Sequence, residues 1–164
     1  MPSPPEDSLA YAVGGGQMVI LHRDVLSVFD AHRQRRSRDA EAGGQLFADF
    51  SNGEVAIRVA TEPRPTDRRS RFRFVADRKA EQQEIFKQHT LGYHYVGDWH
   101  THPEDVPDPS EIDATTSSSI FRESTHRLNA ILLIIVGRKP FPEGLYVGLT
   151  DGISLMSLVP RAST

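Results

Sequence analysis

The stretch VGDWHTHPEDVPDPSEID, residues 96–113, decides how the rest of the chain is interpreted. It begins with a pattern typical of a strand, continues through a loop with three prolines, and ends in a Ser-x-x-Asp sequence typical of a helix start. Alternate residues of a strand share a face, so His100 and His102 are expected to converge while Thr101 points away. Two convergent imidazoles supply half of a zinc site.

The same residues also have a simpler interpretation. Ser110 and Asp113 at this spacing form an ordinary capping box, and two histidines on one strand need not bind anything. If a metal is bound, Asp113 is a third ligand candidate, because the proline-stiffened loop brings it to the first turn of a helix. The positive end of the helix dipole stabilises a carboxylate there. On these residues alone both interpretations stay open.

The composition restricts the classes of function. The chain has 164 residues, 38% of them hydrophobic, and a net charge of −3, which suits one globular domain and gives no reason to expect nucleic acid or a membrane as partner. The longest apolar run, residues 130–137, is too short to span a bilayer, and no secretory signal is visible. The absence of cysteine excludes thiolate metal sites and the zinc nucleobase deaminases, and it favours a cytoplasmic location.

Strand and helix patterns are mixed along the chain, which predicts an α/β or α+β domain with a central mixed sheet flanked by helices. Strands are predicted at 16–21, 43–50, 54–60, near Phe72 and Phe74, and at 95–102, 129–137, 144–150 and 152–159. Helices are predicted at 23–39, 77–94 and 110–124. The turn at Ser51-Asn52-Gly53 predicts a hairpin. Residues 1–15 are expected to be a disordered lead, 16–160 the domain, and 161–164 a tail.

The motifs resemble those of a known family. His100-Thr101-His102-Pro103, six further residues and then Ser110-x-x-Asp113 match the signature of the JAMM metalloproteases, also called MPN-plus or JAB. The family also has an upstream glutamate in a Glu-x-Gly-Gly-x-Leu context, and EAGGQL supplies Glu41. The runs VGDWHTHP and RFRFVADRKAEQQEIF resemble the bacterial branch, Prok-JAB, and the resemblance covers about residues 18–158. One departure is Phe47-Ala48 where relatives often carry glycine, which predicts a local change of strand twist.

This resemblance implies a cytidine-deaminase-like fold and a role for each matched residue. His100, His102 and Asp113 are the implied ligands of one Zn²⁺ per chain. Glu41 is the implied general base, which takes a proton from the attacking water and passes it to the leaving amine. Ser110 is the implied hydroxyl that stabilises the oxyanion. No implied ligand is missing, and threonine in place of serine at position 101 carries no evident chemical cost.

Five arginines lie between residues 64 and 73. They either belong to a solvated loop or, as the resemblance implies, to an insertion that helps to hold the tail of a substrate. Arg68, Arg69 and Arg71 are the residues predicted to bind substrate, beside a strand edge to which an extended glycine-rich tail adds. Glu104, Asp105 and Asp108 lie on the loop between the ligands. They are interpreted as solvated carboxylates that favour a basic partner, with coordination of an adventitious ion as the alternative.

The resemblance implies a zinc isopeptidase or peptidase that cleaves after the C-terminal glycine of a ubiquitin-like protein. Such proteins include deconjugating proteases of ubiquitin-like operons of the CBASS anti-phage type, where E1-like and E2-like proteins are partners. Three alternatives remain: a sulfur-carrier processing protease in biosynthesis, a non-catalytic MPN-type scaffold, and a metal-dependent amidase acting on small molecules. The sequence names neither the substrate nor the oligomeric state.

Overall fold

The computed structural model describes residues 7–51, 53–123 and 129–161. Its strands are β1 (Leu9–Gly14), β2 (Gln17–Leu21), β3 (Gly43–Ser51), β4 (Glu54–Ala60), β5 (Arg68–Ser70), β6 (Arg73–Val75), β7 (His94–Thr101), β8 (Ile131–Val136), β9 (Leu145–Thr150) and β10 (Leu155–Ser157). Its helices are α1 (Arg23–Ala31), α2 (Arg78–Thr90) and α3 (Glu111–Glu123).

A mixed eight-stranded sheet in the order β1-β2-β4-β3-β7-β8-β9-β10 forms the centre of the fold, and β5 and β6 make a separate hairpin. The pairs β2–β4 and β7–β8 are parallel, and the other pairs are antiparallel. The sheet curls so that its two ends approach each other: the backbone N–H of Arg161, beyond β10, donates to the carbonyl of Ala10 in β1 at 2.7 Å. The predicted fold class, a mixed sheet flanked by helices, is confirmed.

The parallel pair β7–β8 determines where a site can form. A parallel connection needs a crossover, and α3 supplies it, so the chain leaves β7 at its carboxyl end and enters α3 close by. Every residue of β8 is buried, as its unbroken apolar sequence predicts. The end of β7 and the start of α3 therefore lie beside a rigid, fully packed strand.

The structure also differs from the predicted elements. Leu9–Gly14, within the expected disordered lead, is a strand that pairs with β2, while residues 1–6 lie outside the described part of the chain. Helix α1 ends at Ala31 rather than near residue 39, because the buried side chain of Gln34 bonds to the carbonyls of Asp39 and Arg71 in an irregular segment. The predicted hairpin of β3 and β4 is confirmed, although its Asn52 lies outside the described residues.

Two smaller features follow from local sequence. Helix α2 begins after Asp77, whose carboxylate accepts from the N–H groups of Lys79 and Ala80. It ends before position 94 because Gly92 adopts a φ of +88°, which a glycine does without strain. The strand register shifts on both sides of Phe47, the place where the sequence predicts a change of twist. Among the described residues, no helix has the length and apolar character needed to cross a membrane.

Candidate active site

Strand β7 separates a core face from a site face. Trp99 and Thr101 are buried; the Trp99 ring packs 5.1 Å from Phe29, and its Nε1 donates to the Thr61 carbonyl at 3.0 Å. His100 lies on the opposite face and lines a cavity together with Asp98. His102 follows the strand end, where its N–H donates to the Val136 carbonyl of β8 at 2.9 Å. The anchored tryptophan thus fixes the direction in which the histidines point.

The Ser-x-x-Asp sequence forms a capping box at the start of α3. The Ser110 N–H donates to Asp113 Oδ2 at 2.9 Å, and the Asp113 N–H donates to Ser110 Oγ at 3.0 Å. These reciprocal bonds hold the Asp113 carboxylate at the end of the helix that faces β7. The capping-box interpretation of Ser110 and Asp113 is therefore correct, and the capping box is also what positions the Asp113 carboxylate.

The three predicted ligands meet at one point. His100 Nε2 lies 3.2 Å from Asp113 Oδ1, His102 Nε2 lies 3.2 Å from Asp113 Oδ2, and the two Nε2 atoms are 3.2 Å apart. Tetrahedral zinc with ligand bonds of about 2.0–2.1 Å requires ligand atoms roughly 3.3 Å from one another. Two imidazoles and a carboxylate are also donors that zinc accepts. The residues therefore fit a metal ion in both distance and chemistry.

The electrostatics of this triad favour a charged carboxylate. Burial alone would raise the pKa of the Asp113 carboxyl, but hydrogen bonds from His100 and His102 hold that pKa well below its usual range. Burial would lower the pKa of His102, but its bonds to Asp113 and Glu104 raise that pKa overall. The site is thus organised to hold an ionised ligand next to positive charge.

Glu41 lies beside the triad although it is far away in sequence. Its side chain is only 7% exposed, and ligand-type atoms of Glu41, His100 and His102 all lie within 4.8 Å of one another. Hairpin β5–β6 holds its backbone: the Glu41 N–H donates to the Ser70 carbonyl at 2.7 Å, and Arg69 Nε donates to the Glu41 carbonyl at 2.8 Å. Burial raises the pKa of the Glu41 carboxyl, and the neighbouring histidines oppose this rise.

The hydroxyl of Thr101 connects these parts. It accepts the Ala42 N–H at 2.9 Å and donates to Gln34 Oε1 at 2.8 Å, and Thr101 is fully buried. One hydroxyl therefore ties the segment that carries Glu41 to the strand that carries His100. Serine offers the same hydroxyl, which agrees with the expectation that threonine at this position carries no chemical cost.

The three arginines predicted to bind substrate have different surroundings. Arg68 is exposed on β5, and Arg71 is exposed and stacks its guanidinium 4.7 Å from the centre of the Phe72 ring. Arg69 instead uses its Nε to hold the Glu41 carbonyl. All three lie on the hairpin that borders the site, but they are not equivalent.

A groove runs from the triad between the hairpin and α3, enclosing a cavity of 330 Å³. Phe72 and Phe74 line the hairpin side, and Ile112, Thr116 and Ile120 line the α3 side at one-turn intervals. Phe72 and Ile112 are 71% and 77% exposed, so each wall carries an apolar side chain open to solvent.

Two carboxylates near the site, Asp98 and Glu81, were missed by the sequence interpretation. Burial raises the pKa of Asp98 to about 6, and burial together with Asp98 raises the pKa of Glu81 to about 7. Asp98 lies two residues before His100 on the strand, and this spacing could have placed it in the groove. Glu104, interpreted as solvated, lies 2.7 Å from His102 Nδ1.

Comparisons with known proteins identify the family to which this chain belongs. The family described as prokaryotic homologs of the JAB domain, Prok-JAB, matches residues 22–144. A Pseudomonas aeruginosa protein named CD-NTase/cGAS isopeptidase is 32% identical over 142 residues, which cover 81% of this chain and 84% of that protein. An Escherichia coli protein of the same name is 30% identical over 124 residues, covering 74% and 77%. A probable metalloprotease of Sinorhizobium fredii is 31% identical over 117 residues, covering 67% and 71%.

A solved structure shares the fold. The solution structure of a Desulfitobacterium hafniense protein covers 84% of this chain and 87% of its own, with a TM-score of 0.60 and 18% identity. That likeness concerns the fold alone, whereas the family match spans most of the chain. The chain therefore belongs to the prokaryotic JAB family, as the motifs around His100 and Glu41 predict.

Proposed function

We propose that this chain is a zinc-dependent isopeptidase that hydrolyses the bond after the C-terminal residue of a protein conjugated to another protein. The observation that carries the proposal is the 3.2 Å triangle of His100, His102 and Asp113 with the buried Glu41 beside it. A non-catalytic scaffold needs neither a complete ligand set nor a buried carboxylate next to it.

The proposed metal is Zn²⁺, one per chain, held by His100, His102 and Asp113. Zinc bound by three protein ligands supplies a Lewis acid that polarises a carbonyl and makes water acidic near neutral pH. Two nitrogen donors and one oxygen donor with no thiolate form a ligand set of this catalytic kind.

Glu41 is proposed to move the proton. A carboxyl with a raised pKa accepts a proton from the attacking water more readily than an ordinary one and returns it to the leaving amine. The hairpin bonds to both backbone groups of Glu41, so the base is held before substrate arrives. Ser110 Oγ accepts the Asp113 N–H, which leaves its own O–H to donate to the oxyanion.

The substrate is proposed to bind as an extended tail in the groove. Strand β6 pairs with β5 on one side, and no other described strand pairs with it, so its second edge is open to an added strand. A Cβ on Gly43 would lie 2.7 Å from the Phe74 ring, so β3 and the hairpin pack closely together beside the triad. A slender tail ending in glycine is proposed to occupy the groove, with Arg68 and Arg71 binding the body of the substrate.

The proposed pathway is anti-phage defence of the CBASS type. Two relatives from different bacteria are named CD-NTase/cGAS isopeptidase, which supports a CD-NTase conjugate as the substrate of this chain. A tail of a ubiquitin-like protein is the other substrate proposed from the family signature, with E1-like and E2-like proteins as partners. An isopeptidase cleaves an amide bond in either substrate, so the same proposed chemistry applies to both.

The decisive experiment measures metal content and cleavage on the same samples. The substrates are a CD-NTase and a ubiquitin-like protein, each fused through its C-terminal residue to a second protein. Wild type is expected to contain about one zinc per chain and to release the fused protein. His102→Ala should lose zinc, whereas Glu41→Gln should keep it and lose about 10²–10⁴-fold in rate. His89→Ala, at an exposed histidine on α2, is the matched control.

Two results would contradict the proposal. Stoichiometric zinc without cleavage of either fusion would favour the scaffold or the small-molecule amidase. Cleavage that survives in Glu41→Gln at the wild-type rate would remove Glu41 from the mechanism.

A further inference from the structure

Glu104 lies outside the family signature but contacts one of the proposed ligands. Its Oε1 is 2.7 Å from His102 Nδ1, a short distance typical of a charge-assisted hydrogen bond. The other ring nitrogen of His102, Nε2, faces His100 and Asp113 at 3.2 Å. The two nitrogens of one imidazole therefore have separate partners, one in the triad and one on the loop.

The loop backbone holds Glu104 in place although its side chain is 48% exposed. The Glu104 carbonyl accepts the Arg138 N–H at 2.8 Å, and the carbonyl of the next residue accepts the Lys139 N–H at 3.1 Å. Gly137 allows this close approach, since a side chain there would lie 2.7 Å from the Glu104 carbonyl. Pro103 restricts the intervening backbone. The position of the carboxylate thus follows from bonds between the loop and the end of β8.

A neutral imidazole carries one ring proton, and its two nitrogens cannot both donate. To bind a metal, His102 must present the lone pair of Nε2 and keep its one proton on Nδ1, and a carboxylate at Nδ1 favours that tautomer. It also fixes the ring orientation and increases the basicity of the ligand nitrogen, as carboxylates do for metal-binding histidines in general.

We infer that Glu104 is a positioning residue that selects the tautomer and orientation of His102 for metal binding through its hydrogen bond to Nδ1. The inference rests on the proposed zinc site and adds a residue to it. Glu104 touches neither substrate nor reacting atoms, so its effect appears first in metal affinity and only then in rate.

The test is a zinc titration against a competing chelator at constant pH. Glu104→Ala is expected to weaken zinc binding by about 10–100-fold. Glu104→Gln keeps an oxygen that accepts a hydrogen bond from His102 Nδ1, so its zinc affinity should fall clearly less than that of Glu104→Ala. Asp108→Asn removes a carboxylate from the same exposed loop and should bind zinc as wild type does, which controls for loop charge.

A second measurement reports on the ring itself. Proton–nitrogen correlation spectra of the zinc-bound protein should show the Nδ1 proton of His102 strongly shifted downfield in wild type. That signal should move upfield or be lost by exchange in Glu104→Ala. A role limited to loop folding would leave it unchanged. Circular dichroism of the metal-free variants shows whether each one is folded. If Glu104→Ala is unfolded, the comparison of wild type with Glu104→Gln still tests the inference.

The outcomes separate this inference from the function on which it rests. Tight zinc binding in wild type and in Glu104→Ala alike would overturn the inference and leave the proposed function standing. Equal losses in Glu104→Ala and Glu104→Gln would also overturn it, because charge and not the hydrogen bond would then be the cause. A wild-type protein that binds no zinc would overturn both.

Discussion

Replacing Thr101 by valine tests whether its hydroxyl holds the site together. Valine has nearly the same shape, so the substitution removes the hydroxyl and leaves little empty volume. It leaves the Ala42 N–H and Gln34 Oε1 without their present partner in a fully buried place. Thr101→Ser is the matched control, because it keeps the hydroxyl and loses only a methyl group.

The size of the effect follows from the two orphaned groups. Each buried donor or acceptor left unpaired costs about 1–3 kcal/mol, so Thr101→Val should lower the free energy of unfolding by about 2–6 kcal/mol. Losing one buried methyl in Thr101→Ser costs about 1 kcal/mol. For a domain of this size 1 kcal/mol shifts Tm by about 2–4 °C, which predicts a drop of roughly 4–24 °C for valine and about 2–4 °C for serine.

The assay is thermal unfolding of the metal-free proteins at one pH, so that zinc binding does not contribute to Tm. The same variants are then assayed with zinc, where Thr101→Val should lower kcat because Ala42 adjoins Glu41. A valine variant as stable as the serine variant would refute the reasoning, since the hydroxyl would then contribute no net stability.

The other predictions concern the hairpin, the groove and the sheet. Arg69→Ala should lower kcat about tenfold or more with little change in KM, since Arg69 holds the Glu41 carbonyl; steady-state kinetics showing a raised KM alone would instead assign it to substrate binding. Arg68→Glu should raise KM, and an unchanged KM would remove that arginine from the substrate site. Folding raises the pKa of Glu81 from 4.5 to about 7, so its charge destabilises the folded state increasingly as pH rises between these values. Glu81→Gln should therefore have a free energy of unfolding about 1–3 kcal/mol above that of wild type at pH 8, and nearly the same value at pH 5. Urea unfolding at the two pH values measures this, and an equal difference between variant and wild type at both would contradict it. Gly44→Ala should lower the free energy of unfolding by about 2 kcal/mol or more in the same assay, because its Cβ would lie 2.1 Å from the Thr61 carbonyl oxygen. A variant as stable as wild type would show that the backbone shifts to relieve this contact.

Much of the fold could be predicted from local sequence. Three features could be predicted because they depend on residues close together in the chain. They are the apolar run of β8, the hairpin of β3 and β4, and the helix caps at Asp77 and Ser110. Strand β1 was not predicted because its stability comes from pairing with β2 and from the later contact with Arg161. The early end of α1 has a similar cause, since the buried side chain of Gln34 bonds to distant backbone groups.

The sequence by itself supplied the candidate residues of the proposed site: His100, His102 and Asp113 at fixed spacing, and a glutamate in a glycine-rich context upstream. Spacing carries this information because a strand and a helix cap have fixed geometries over a few residues. Only the tertiary structure decided how Glu41 and Glu104 approach the histidines. Glu41 reaches them through sheet pairing and the hairpin, and Glu104 through loop bonds to the end of β8. Such contacts join residues far apart in the chain, and no local pattern encodes them.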